Sequence, residues 1–134
     1  MIYKKKITKN LIDKNNHLNI SNYIKLIDNS NERLIKSVKK KDYHFVAKKI
    51  IMENSREIRE GEICKIKSFL IKVTKYYIIS RHEFYVENSN MLRAKCFMQQ
   101  VPINNKSKKI VQINLPDQLY FNKLKKKNYI DPFL

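Results

Sequence analysis

From Tyr23 onward the apolar and polar positions fall into successive patterns, each the signature of a short element. Tyr23-Ile-Lys-Leu-Ile27 alternates before the turn formers Asp28-Asn-Ser-Asn31, and apolar residues resume in Arg33-Leu-Ile-Lys-Ser-Val38. That succession predicts a hairpin. After Lys39-Lys-Lys41 the period lengthens, with Tyr43, Ala47, Ile50 and Ile51, or Phe45, Val46 and Ile50, on one side of a helix beginning near Asp42 and running toward Ile58. Gly61, the only glycine, then opens Glu62 to Val73, and after a short turn Tyr76 to Val86 follows. Both segments are rich in β-branched and aromatic residues, as strands are. Strict alternation breaks inside each: Lys65 and Lys67 share parity with Phe69 and Ile71, while Tyr77 and Ile79 differ in parity from Phe84 and Val86. A bulge or sharp bend in each strand would reconcile the faces.

The flanks are less patterned. Ile2, Ile7, Leu11 and Ile12 make either an opening strand or a loose basic arm. Ala94 to Val101 and Ile110 to Ile113 read as further short strands, and Leu119 to Leu124 as helical, before Lys125-Lys-Lys127 and a tail containing Pro132. No internal repeat is present.

Composition narrows the class. The 134 residues make one domain of ordinary size. No apolar run reaches the roughly 18 residues of a membrane span, and the lysines of Met1-Ile-Tyr-Lys-Lys-Lys6 precede no apolar segment of the kind a secretory signal carries. Cys64 and Cys96 lack metal-ligand spacing and fit a reducing compartment. The net charge of +17, from 29 basic and 12 acidic side chains, is spread through both halves. Abundant lysine, asparagine and isoleucine are what an AT-rich coding sequence would produce. Such bias does not by itself make acidic residues scarce, and self-repulsion at this charge opposes folding unless a polyanion offsets it.

The order hairpin, helix, glycine-led strand and partner strand is that of an OB-fold. Ile24-Lys-Leu-Ile-Asp28, Arg33-Leu-Ile-Lys-Ser-Val38, Ile58-Arg-Glu-Gly-Glu-Ile-Cys-Lys-Ile-Lys-Ser-Phe69 and Tyr77-Ile-Ile-Ser-Arg-His-Glu-Phe-Tyr-Val86 resemble the first OB domain of the replication protein A large subunit, in its expanded plant type. The expected fold is therefore mainly β: a single OB-fold-like five-stranded barrel with one helix between the third and fourth strands and a basic C-terminal extension. Residues 1–22 would be the arm or first strand, 23–115 the core and 116–134 the tail. The resemblance implies a non-catalytic protein that binds single-stranded DNA (RNA being possible) in replication, repair or recombination. It would do so alone or beside other subunits of a replication complex, without a membrane or cofactor.

On that reading the phosphate-following cations are Lys36, Lys39, Lys65, Lys67, Lys72 and Arg81, and the base-stacking groups are Phe69, Tyr76 and Tyr85. A solvated strand face for the lysines and core positions for the aromatics are the plainer alternatives. His17, His44 and His82 share no zinc spacing. One glycine cannot build a phosphate-cradling loop, and no carboxylate pair stands out as an acid and base couple. The lysine triplets suit nuclear import, with the cytoplasm as alternative for a plasmid or viral product. A small basic structural subunit of a replication, transcription or ribosome-like assembly is the rival function.

Overall fold

A computed structural model describes residues 1–36 and 42–134. The elements in chain order are β1 (Ile2–Lys6), α1 (Ile20–Ile35), β2 (Tyr43–Asn54), β3 (Ile63–Val73), β4 (Ile78–Val86), β5 (Ala94–Asn104) and α2 (Leu115–Leu124), with one turn of 3-10 helix at Lys9–Leu11. The strands form one five-stranded antiparallel sheet in the order β1-β3-β4-β5-β2. The chain divides into two compact units. The first comprises Met1–Ile35, Met52–Ser68 and His82–Cys96, and the second Lys36–Ile51, Phe69–Arg81 and Phe97–Leu134.

In the first unit α1 begins where Asn19 caps it: Asn19 Oδ1 accepts the Asn22 amide at 3.0 Å, supplying a first-turn N–H with the partner that the helix cannot provide. Asn22, Tyr23, Leu26, Ile27, Ser30 and Asn31 are its buried positions, three or four residues apart, so they make one stripe. Tyr23 meets the edge of Phe84 at 5.1 Å, and Ser30 Oγ lies 2.5 Å from Ser68 Oγ. Leu26 and Ile27, almost wholly buried, each stabilise the unit by about 1.5–3 kcal/mol of apolar burial. β1 pairs with β3 in the register Ile2↔Lys67 to Lys6↔Ile63. Gly61, with φ +86, turns the chain into β3 and donates its amide to Ile7 O at 2.8 Å. A Cβ there would meet open space, so the left-handed backbone alone selects glycine.

The second unit is built on Phe69, Ile71, Ile79 and Phe97, with Ile51, Tyr77 and Phe133 against them. α2 is capped by Asn114, whose side chain accepts the Asp117 amide at 2.9 Å, and it buries Phe121 beside Phe45. Past α2 the chain is tied back by the Lys126 amide, which donates to Leu70 O at 2.9 Å.

The OB-like barrel is overturned. The sheet is open, with β1 and β2 at its edges, and no helix lies between the third and fourth strands. The segment read as the first hairpin is mostly α1, because Tyr23-Ile-Lys-Leu-Ile27 satisfies both periods and only burial separates them. Residues 37–41 of that hairpin lie outside the described residues. The expected helix from Asp42 is instead β2, an edge strand whose Val46 and Ile50 remain exposed, so its apolar positions need not follow a burial period. Burial along β3 follows the parity break. In the first unit Cys64, Ile66 and Ser68 are buried while Lys65 and Lys67 are half-buried. In the second, Phe69 and Ile71 are both buried because the C-terminal segment lies over them, with Tyr129 on Phe69 at 5.2 Å and Phe133 in the cluster.

Candidate active site

In the first unit polar side chains surround an open recess of about 1040 Å³ at the start of α1. One wall is the loop between Ile12 and Leu18, closed by pairing of those two residues. Within it the Asp13 amide donates to His17 O at 2.9 Å, and Asn16 takes a left-handed φ of 64, which asparagine tolerates. Asp13 Oδ1 accepts the amides of Asn15 at 2.8 Å and His17 at 3.2 Å. The loop thus holds a carboxylate by its own backbone. Immediately after it, the Leu18 amide donates to Ile58 O at 2.8 Å, and Asn22 Nδ2 donates to Leu11 O at 2.9 Å, fixing loop and helix together.

The opposite wall comes from the residues between β2 and β3 and from Arg93. His17 Nε2 contacts Glu57 Oε2, and Glu57 Oε1 accepts from Arg59 Nη2 at 3.2 Å. Arg93 Nη1 donates to Glu57 O at 2.8 Å, and its Nη2 lies 3.6 Å from Glu62 Oε2. Glu57 and Glu62 are therefore paired with cations. Among the described residues no cation pairs with Asp13. Tyr23 also lines the recess, and burial is the main cause that pushes its phenol up to about 12, so it stays protonated.

Among the described residues, none of those proposed from the sequence for DNA lines this recess. In the first unit Lys65 is half-buried on β3, Lys67 lies over the Tyr85 ring at 4.9 Å, and the Tyr85 hydroxyl donates to Glu83 at 3.1 Å. Lys36 is exposed. In the second unit, Phe69 is buried under Tyr129 with Lys126 at 4.5 Å, and Lys72 bonds Asp131 at 2.7 Å. Arg81 lies over Phe97 and Tyr129 at 5.2 and 5.3 Å, and Tyr76 is exposed in a turn. Lys39 lies outside the described residues.

The chain matches the Thioesterase-like superfamily over residues 7–121. It belongs to that family. As a thioesterase-like chain it shares its fold, the hotdog fold, with solved structures of low sequence identity. A probable thioesterase from Escherichia coli, YbaW, superposes with TM-score 0.83 at 16% identity, covering 94% of this chain and 99% of that one. The Staphylococcus aureus protein SAV2348, solved in complex with CoA, gives 0.80 at 14% identity over 98% and 89%. A 1,4-dihydroxy-2-naphthoyl-CoA thioesterase from Synechocystis gives 0.79 at 12% identity over 92% and 96%. No curated protein sequence is matched significantly.

Family membership overturns the resemblance to replication protein A, and with it the non-catalytic, single-stranded-DNA-binding function and the nucleic-acid and replication partners. The quoted segments were short runs of lysine and β-branched residues that many sheets contain. What the sequence reading passed over was Asp13-Lys-Asn-Asn-His17-Leu-Asn19. A tight cluster of turn formers and ligand-type side chains ending in a helix cap was the available signal.

Proposed function

We propose that the protein hydrolyses a thioester of coenzyme A, with Asp13 as general base. Membership of the thioesterase-like family and the named activities of structurally similar proteins support the reaction class. The observation that carries the site assignment is the Asp13 carboxylate, held by two backbone amides in a recess that also contains the start of α1. In the reaction a water oxygen bonds to the acyl carbon while Asp13 takes a water proton. The carbonyl becomes an oxyanion, then reforms as the C–S bond breaks, its electron pair leaving with sulfur. The proton held by Asp13 passes to that sulfur, giving a free thiol, and the acid product ionises. The positive end of the α1 dipole, at Asn19 and Ile20 on the recess wall, favours the negative charge that develops. His17, held by Glu57, anchors the far end of the carboxylate loop.

Asp13→Asn tests the assignment. The amide oxygen still accepts from Asn15 and His17, so the loop is kept while the base is removed. We expect kcat toward acyl-CoA substrates to fall about 10²–10⁴-fold, with binding of a non-hydrolysable thioether analogue retained. An unchanged kcat would remove Asp13 from the reaction.

A further inference from the structure

The charge is even along the sequence but not between the two units. Among the described residues the first unit holds thirteen basic and nine acidic side chains, and the second thirteen and only three. Two of those three acids are engaged inside the second unit: Asp117 is buried and accepts from the Tyr43 hydroxyl, and Asp131 bonds Lys72 at 2.7 Å. Asp42 is the third, and it is exposed.

One end of the second unit adds apolar side chains to this charge. In an antiparallel sheet β2 and β4 begin where β3 and β5 end, and hydrogen bonds tie the turns there to the start of α2. The Ile113 amide donates to Lys75 O at 2.7 Å, the Asn114 amide to the Tyr43 hydroxyl at 3.2 Å, and the Asn105 amide to Asp42 O at 2.8 Å. Thr74 Oγ1 accepts the amides of Tyr76 and Tyr77, and Asn104 Oδ1 those of Lys106 and Ser107, so each turn has an ordered backbone. The first turn presents Lys75 beside Tyr76, which is 54% exposed. The second presents Lys106, Lys108 and Lys109 before Ile110, which is 50% exposed. Leu115 and Leu119, one helical turn apart on α2, are 64% and 57% exposed, on the face opposite the buried Asp117 and Phe121. Among the described residues none of these four lysines pairs with a carboxylate.

We propose that this end of the second unit docks on an anionic lipid surface, with Tyr76, Ile110, Leu115 and Leu119 entering the interface and the four lysines lying among the headgroups. Scattered apolar side chains need no partner, but a group of them on one end of a fold, interleaved with unpaired lysines, does. Lysine is depleted where one protein buries against another, and aliphatic side chains give nucleic-acid bases no ring to stack on. A bilayer surface accommodates both kinds of side chain, because lysine stems lie along the apolar boundary while their ammonium groups stay with the phosphates. The proposal is independent of the reaction carried out in the first unit.

The test is co-sedimentation of the full chain with phosphatidylcholine vesicles, with and without about 30% phosphatidylserine, at about 0.15 M salt. We expect the anionic vesicles to bind about tenfold more tightly than the neutral ones, or better. Lys106→Glu with Lys108→Glu should weaken that binding by about tenfold. Lys5→Glu with Lys6→Glu, at exposed positions of β1 in the first unit, makes the same change in net charge and should alter binding by no more than about twofold. Equal losses in the two pairs would assign the attraction to net charge alone and overturn the proposal. The chain contains no tryptophan, so Leu119→Trp supplies a single reporter whose emission should shift to the blue on anionic vesicles and be quenched by brominated lipid. Vesicle binding without that shift overturns the insertion of α2 and the docking geometry with it. Binding to neither vesicle, with or without binding to an oligonucleotide, overturns the proposal as well. Unchanged thermal melting of the variants confirms that these exposed substitutions leave the fold intact.

Discussion

At the scale of single residues, burial decides the chemistry of His82, Cys64 and Cys96. His82 is fully buried, with Nδ1 2.7 Å from Ser68 Oγ, which in turn meets Ser30. Burial pushes its imidazole from 6.5 down to about 3. Between those values the unfolded chain takes up a proton and the folded one does not, so the stability His82 supports is complete above about pH 6.5 and is lost as pH falls toward 3. In His82→Gln we expect the dependence of denaturant midpoint on pH to flatten across that window, with lower stability at neutral pH; an unchanged slope would place the acid sensitivity elsewhere. Cys64 and Cys96 are likewise buried, and desolvation raises both thiols to about 12. Native protein at pH 8 should therefore resist iodoacetamide and become fully alkylated only after denaturation, as followed by intact mass. Fast native labelling would show that either thiol opens to solvent.

Among the elements, α1 matters most, because the loop carrying Asp13 runs directly into its first turn. Asn19 links them by capping the helix and accepting from Ser21 Oγ at 2.8 Å. Asn19→Ala should cost about 1 kcal/mol of stability, the usual value of a lost cap, and reduce kcat through a displaced loop. Asn19→Asp, which restores the capping oxygen, should recover the stability; failure to do so would mean that Asn19 is not acting as a cap. The element scale also shows where sequence patterns were sufficient. Gly61 before β3 and the β-branched density of β3 and β4 have local causes in backbone conformation, and these are readable without a partner. Tyr23–Ile27 and Tyr43–Ile51 are different. Each fits a strand and a helix, and the decision came from the buried surface available: Tyr23, Leu26 and Ile27 had one, whereas Val46 and Ile50 on an edge strand did not.

For the whole molecule, the charge of +17 is a stability term independent of fold. Net repulsion is weakened when salt screens it over distances of about 10 Å at 0.1 M. The melting temperature should therefore rise with sodium chloride between low and physiological ionic strength, even though ion pairs such as Lys4–Glu87 at 2.8 Å are weakened. A falling melting temperature would mean that attractive pairs outweigh the excess positive charge.

The sequence alone determined what depends on neighbouring residues: the glycine entry to β3, the strands after Gly61 and β5, a helix near the C-terminus, and a strongly basic composition. It could not show the open sheet order, the helical identity of α1 or the edge position of β2, because these depend on which surfaces meet. The site was hidden for the same reason. Asp13 and His17 lie close together in sequence, but Glu57, Glu62 and Arg93 reach the recess only when the first unit folds, and the abundant lysines drew attention away from its few arginines.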